Sequence, residues 1–229
     1  MKRSLSLILS LTLVLALCGC GKASRPASFP LEDDKIMAAV TELGLTWELS
    51  ADECQSYSED QRTCVLRDTT ATYAEGGSKL MRAAISSGSS GGGDYMFANF
   101  EGTPQTKGPE LNWAYWEAQL RLTEMLWGME EGQLTNALAE KTEPDRVVSQ
   151  NVSTQGTIER LVWELTLESG ERIDVNWHCY PTTFTSSAQT GRKVDNWGQR
   201  LSIRVFASEK VYDNIMEQAA KAAENQAKE

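Results

Sequence analysis

The sequence predicts an α+β fold in which antiparallel sheet packs against helices. Segments of alternating apolar residues come in runs, several strands in succession, rather than singly between helices. A stretch with helical 3- and 4-residue apolar spacing precedes each run. The two clearest strands are joined by a loop whose length and glycine set an antiparallel register.

The first helix is expected over residues 32–43. Ile36, Ala39, Val40 and Leu43 make one apolar face, and Glu32, Asp33 and Asp34 sit in the first turn, where the helix dipole favours negative charge. Gly44 is a fitting terminator. Leu45, Trp47 and Leu49 then alternate with polar residues as in a half-buried strand. Cys64 and Leu66 mark a second strand, Met81, Ala83 and Ile85 a third, and residues 94–101 a fourth. Ser86 to Gly93, SSGSSGGG, reads as a mobile hairpin loop. It lacks the strand, helix and lysine context of a phosphate cradle.

Pro104 to Pro109 reads as a linker. A helix over about 110–127 follows, with Leu111, Trp113, Trp116, Leu120, Leu122, Leu126 and Trp127 covering more than half its circumference, which implies burial on most sides. Gly128 ends it, and a short helix is expected from about 130 to 139. Leu161, Trp163, Leu165 and Leu167 then alternate, as do Ile173, Val175, Trp177 and Cys179. Both sets face one core only if paired residue numbers sum to an even value. A three-residue loop, Glu168-Ser169-Gly170, satisfies this, with Gly170 supplying the positive φ of a type I turn with a G1 bulge. The register is then 165 opposite 173, 163 opposite 175 and 161 opposite 177. Leu201, Ile203, Val205 and Ala207 form another strand. Ser208 caps a closing helix from about 209, with Val211, Tyr212 and Ile215 inward and a polar tail that frays beyond Ala220. The layout divides into two degenerate helix-plus-four-strand halves, 31–104 and 105–229, though no residue-level repeat links them and 31–229 also reads as one domain.

The amino terminus carries a different kind of signal. Lys2 and Arg3 precede an apolar run from Leu5 to Leu17, the pattern of a secretory signal, too short for a permanent span of roughly 20 apolar residues. Leu17-Cys18-Gly19-Cys20 then resembles the lipobox of bacterial lipoproteins: aliphatic at −3, small at −1, then the acceptor cysteine. The alternative cut before Cys18 would put bulky Leu17 at −1. The resemblance implies a signal peptide over 1–19, cleavage by a type II signal peptidase, and a diacylglyceryl, palmitate-type anchor on Cys20. Residues 20–30 then form the lipidated cysteine and its tether. In size and layout the chain also looks like uncharacterised surface lipoproteins of Gram-positive bacteria. That likeness brings no activity with it. The expected location is the cell membrane, lipid-anchored on the extracytoplasmic face.

Loss of residues 1–19 from the 229 leaves 210, enough to bury a core, and takes the formal net charge from −10 to −12. Such a charge disfavours nucleic acid and anionic lipid headgroups as partners. The partners implied are membrane lipid through Cys20 and another envelope protein or wall component. Cys54 and Cys64 flank turn-rich sequence. They either close a small disulfide loop, which an oxidising exterior permits, or remain two thiols. Their spacing is not that of a redox Cys-x-x-Cys. Cys179 reads as a buried structural thiol.

His178 is the only histidine. Strand parity puts it with Asp174 and Asn176 on the outer face, so adjacent Cys179 points to the other side of the sheet and cannot be its nucleophile partner. Cysteines and histidines are too few for a zinc cluster, no calcium loop is present, and no nucleophile-elbow, Walker or dinucleotide motif occurs. No catalytic, cofactor or metal residue is therefore assigned. Asn151-Val152-Ser153 fits a glycosylation sequon that has no expected use in a bacterium. Of the seven tryptophans, Trp197 lies in polar surroundings and either stacks on a ligand or folds back over the core. The first reading of function is a non-enzymatic binding or assembly module. A carboxylate-dependent wall hydrolase is the second, needing a cleft with two perturbed carboxyls, and a small-solute receptor is the third.

Replacing Cys20 by Ala is expected to abolish globomycin-sensitive processing and to release the protein from the membrane fraction. Normal maturation with retention at the membrane overturns the anchor.

Overall fold

The strands of both halves enter a single sheet. The computed structural model describes residues 29–69, 80–90, 92–102, 111–151, 157–187 and 191–226. The expected signal segment, Cys20, the expected tether up to Ser28, the expected linker at 104–109 and Val152 and Ser153 of the sequon lie outside the described residues.

Helix α1 spans Asp33–Glu42. Strands β1 (Trp47–Leu49), β2 (Gln55–Ser58), β3 (Gln61–Asp68), β4 (Leu80–Ser90) and β5 (Gly93–Gly102) follow. A 3₁₀ turn, Trp113–Trp116, leads into α2 (Glu117–Trp127) and then α3 (Gln133–Glu140). Strands β6 (Arg146–Asn151), β7 (Thr157–Thr166), β8 (Arg172–Ser187) and β9 (Gly191–Phe206) precede the closing helix α4 (Glu209–Gln226). The sheet order is β1-β3-β4-β5-β9-β8-β7-β6, with β2 also pairing β3. Among the described residues, the strand pairings are antiparallel throughout. The fold is α+β. Two meanders, β3-β4-β5 and β7-β8-β9, meet through their last strands.

The hairpin register is the one the alternation dictates: Leu161 faces Trp177, Trp163 faces Val175 and Leu165 faces Ile173. Gly170 has φ +98°, its N–H donates to Leu167 O at 2.9 Å, and Leu167 N–H donates to Glu171 O at 3.0 Å. The turn and its bulge are therefore as the loop length requires. β8 and β9 continue past the body of the sheet, with residues 180–187 paired to 191–198. At about 3.3 Å per residue this ribbon is roughly 25 Å long.

Several elements differ from expectation. The Ser/Gly segment 86–93 is largely strand, since β4 runs to Ser90 and β5 begins at Gly93. Gly92, at φ +90°, lies in the tight connection. Serine and glycine carry no alternating signal, so cross-strand pairing decides their conformation. β2 and β6 lack an apolar alternation as well: all four β2 residues are exposed, and so are Val147 and Val148 of β6. α4 continues to Gln226 instead of fraying beyond Ala220, though only Val211 is buried in it. The residues after Val211 include Ala219, Ala220, Ala222 and Ala223, which favour helix without tertiary contact.

The two faces of the sheet are covered unequally. One carries the main core: Leu66, Ile85, Met96, Phe100, Trp163, Val175, Trp177, Leu201 and Ile203 pack against α1, the 3₁₀ turn, α2 and α3. The chain enters on this side. Phe29 meets the Trp127 ring edge-on at 5.2 Å, and Leu31 N–H donates to buried Ser87 Oγ at 2.8 Å. On the opposite face a smaller cluster of Tyr95, Phe206 and Val211, flanked by Phe97, Tyr212 and Ile215, holds the start of α4. Among the described residues, α4 is the helix that packs on that face. Among the described residues, no helix is long and apolar enough to cross a membrane.

A buried carboxylate organises the helical layer. Gly132 begins α3 and has no capping side chain, so Glu124 of α2 supplies the acceptor. Glu124, 1 % exposed, accepts from the N–H groups of Gly132 (2.9 Å), Leu134 (2.8 Å) and Thr135 (3.1 Å). Those are first-turn donors with no partner inside their own helix.

Glu124→Ala strands these donors and opens a cavity. It is expected to cost about 2–4 kcal/mol, read as a lower denaturant midpoint at unchanged m, whereas Glu124→Gln, which keeps one acceptor oxygen, costs less than half as much. Equal losses overturn the capping role.

Candidate functional site

The open face presents three cross-strand rows of polar side chains, fixed by the register. Glu101, Arg200, His178, Arg160 and Val148 form one row across β5, β9, β8, β7 and β6. Asn99, Ser202, Asn176, Val162 and Arg146 form the next, and Phe97, Arg204, Asp174 and Glu164 the third. The first two rows and Arg204 border a hollow of about 380 Å³ lined by Val148, Arg160, Asn176, His178, Arg200, Ser202 and Arg204. Three guanidinium groups thus converge on one concavity of a protein with net charge −10.

Two of these cations are oriented by hydrogen bonds. Arg160 donates through Nε (3.2 Å) and Nη2 (2.7 Å) to Oδ1 of Asn176, which is only 8 % exposed. That acceptor is neutral, so the contact fixes the guanidinium without cancelling its charge. Arg200 donates through Nη2 to Glu101 Oε1. His178 sits half-buried between the two arginines, tilted against Tyr180 with ring centroids 5.4 Å apart. Burial, then the charges of Arg200 and Arg160, push its imidazole below the ordinary histidine range. Like charges directly opposite on neighbouring strands oppose folding. With its pKa lowered, His178 stays neutral near pH 7, so the row holds one neutral imidazole between Arg200, paired with Glu101, and Arg160, whose bonded partner is a neutral amide.

Beside the hollow lies a carboxylate pair. Glu164 and Asp174 face each other across β7 and β8. Burial raises the pKa of Asp174, while the hydrogen bond from Arg172 lowers that of Glu164. Divergent carboxyls of this kind can divide acid and base roles. Here, however, Arg172 Nη2 stands between them, 2.7 Å from Glu164 Oε2 and 2.9 Å from Asp174 Oδ1. The second approach is an ion contact at an angle too poor for a hydrogen bond. The Arg172 side chain is only 12 % exposed and lies over the Tyr212 ring at 5.1 Å. Arg146 takes the other Glu164 oxygen at 3.0 Å. The position a scissile bond would need is filled by an arginine held from above by α4.

The residues singled out in the sequence fall as follows. His178 does share the outer face with Asp174 and Asn176, but those two are buried at 6 % and 8 % rather than exposed. Cys179 is buried on the opposite face. Trp197 is partly buried against the main core, which removes it as a surface stacking platform. Cys54 and Cys64 come together at the β2–β3 edge, as two thiols whose sulfurs lie within 4.8 Å of each other and of an Asp33 carboxylate oxygen. Arg160, Arg200, Ser202 and Arg204 were not singled out. The hairpin register alone places Arg160 opposite His178, so that part of the site was readable. The β9 residues were not, because residues 188–190 between β8 and β9 carry no turn motif that sets an offset.

No protein-family model matches the chain, and no curated protein or solved structure matches it either.

A depressed histidine pKa has a defined effect on stability. The unfolded chain binds a proton near pH 6.5, the folded one only at lower pH, so stability falls as pH drops from about 6.5 towards the folded value. Subtracting the stability of His178→Asn from that of the wild type at each pH is expected to give a flat difference above about pH 7.5 and a progressive loss below about 6.5. A pH-independent difference overturns the placement of the imidazole between two cations.

Proposed function

We propose that this protein is a lipid-anchored, extracytoplasmic binding module, without catalytic activity, whose ligand surface is the open face of the sheet. The ligand it takes carries a compact anionic group, a carboxylate or phosphate, on a wall component or another envelope protein. The Arg200–His178–Arg160 row carries this reading. It gathers arginine N–H donors around a hollow, and the Arg160 charge there is met only by a neutral amide, which leaves it for an anion to complement.

The charge balance narrows the ligand. A long polyanion would meet repulsion from the rest of a protein at −10, whereas a single anionic group can be held by local donors. The anchoring geometry is compatible. Nine residue steps separate Cys20 from Phe29, at most about 30 Å of chain. The chain enters on the helix-covered side, at Phe29 and Leu31. An anchor there leaves the open face directed away from the point of attachment. The wall-hydrolase reading has less support, because Arg172 occupies the space between Glu164 and Asp174, neighbouring carboxylates whose pKa values are shifted in opposite directions. Its removal is compatible with a module that binds and does not cleave.

The single histidine is a built-in reporter of this site. Soluble disaccharide-pentapeptide muropeptides, which bear free carboxylates, are expected to raise the His178 pKa when titrated into the full chain, followed by the one imidazole NMR signal. Arg160→Ala and Arg200→Ala should each weaken binding about 10- to 100-fold, the equivalent of one charge-assisted hydrogen bond. An unmoved His178 titration at millimolar ligand overturns the anion site.

A further inference from the structure

We infer that Cys54 and Cys64 form a cross-strand disulfide in the mature protein, which pins the interrupted β1–β2 edge to the sheet. β1 and β2 lie end to end along the same side of β3: Leu49 pairs with Leu66, and Gln55 with Thr63. Between them the chain leaves the ladder for Ser50–Cys54, held by Ser50 N–H to Val65 O at 2.9 Å and Glu53 N–H to Ser50 O at 2.9 Å. Cys54 sits just past the end of the β2–β3 ladder, where its Sγ accepts the Val65 N–H at 3.4 Å, beside Cys64. Both cysteines pack at the main core, and the two sulfurs lie within 4.8 Å, so a rotation of the side chains brings them to bonding distance.

The surroundings favour a bridge over a metal. A cation would draw on Cys54, Cys64 and Asp33, but Arg62 already supplies the positive charge there. Its Nε lies 3.4 Å from Cys64 Sγ and its Nη2 2.7 Å from Asp33 Oδ2, so the lone pairs a metal would use face guanidinium protons. The two thiols are also unequal. Cys54 is partly exposed, while Cys64 is 1 % exposed and burial pushes its thiol up to about 12. Cys54 is accordingly the attacking sulfur. As thiolate it displaces one sulfur of an external disulfide donor. Cys64, whose S–H is hydrogen-bonded to Asp33 at 3.0 Å, then displaces the donor's other sulfur from Cys54, and its proton passes to that departing thiolate. Two electrons and two protons pass from the cysteines to the donor, which leaves fully reduced. The bond closes a short loop around the β2–β3 turn.

The inference rests on the extracytoplasmic reading for its oxidant and on the β2–β3 geometry for its site, and two arms separate these. In the first, purified full-length protein is equilibrated with oxidised glutathione, alkylated and digested with trypsin. Cleavage after Arg62 puts the two cysteines on different peptides, 36–62 and 63–67. The expected product is that pair linked, two hydrogens lighter than the sum. Reduction, or Cys54→Ser, should lower Tm by about 5–10 °C, as expected for a short closed loop in a domain of this size. In the second arm, cells producing the protein are alkylated before lysis. Linkage in both arms supports the inference. Linkage with glutathione but alkylated thiols in cells overturns the extracytoplasmic placement and leaves the pairing intact. Two alkylated thiols in the first arm, with or without one bound zinc ion when Zn(II) is added alone, overturns the pairing.

Discussion

The pairing of β5 with β9 is the constraint on which the rest of the structure depends. It runs from Tyr95 opposite Phe206 to Gly102 opposite Gln199, and it is where the two meanders meet. Because side chains alternate with period two, this one register decides which residues of both meanders share a face. Met96, Ala98 and Phe100 fall beside Val205, Ile203 and Leu201 on the helix-covered side. A slip of one residue would turn Phe100 and its β5 neighbours outwards and bring Glu101 into the core.

The unequal covering of the sheet follows from that arrangement. α1, α2 and α3 fill one face, and the α2–α3 corner is locked by a carboxylate that accepts three backbone N–H groups in a nearly dry environment. A buried charge is tolerable only when its oxygens are satisfied in this way. α4 covers one corner of the other face, where Arg172 joins Glu164, Asp174 and the Tyr212 ring. What remains open is the arginine-lined hollow. The chemistry of the molecule is thereby segregated: apolar packing on the side where Phe29 and Leu31 lie, arginines and amides on the other.

The hairpin of β7 and β8 was legible because the connecting loop is short and its glycine position defines the turn. Three residues and a positive φ leave one register that keeps Trp163, Val175 and Trp177 inward. The same parity separated His178 from Cys179. The Ser/Gly segment ending β4 and the exposed strand β2 were not legible. Backbone ladder bonds, not apolar alternation, hold such segments, and those bonds depend on a partner strand distant in sequence. Glu124 was equally silent, since a glutamate in a helix gives no sign that it will cap another one.

The amino-acid sequence by itself determined the α+β class, the helix faces and the parity of each apolar strand. All of these are written in local periodicity. Tertiary structure alone decided that both halves build one sheet, that β5 meets β9, and that Arg200 and Arg204 join Arg160 around His178. The physical reason is range: side-chain alternation is set by neighbours along the chain, whereas strand order and register between distant segments are set by which apolar faces can be buried together.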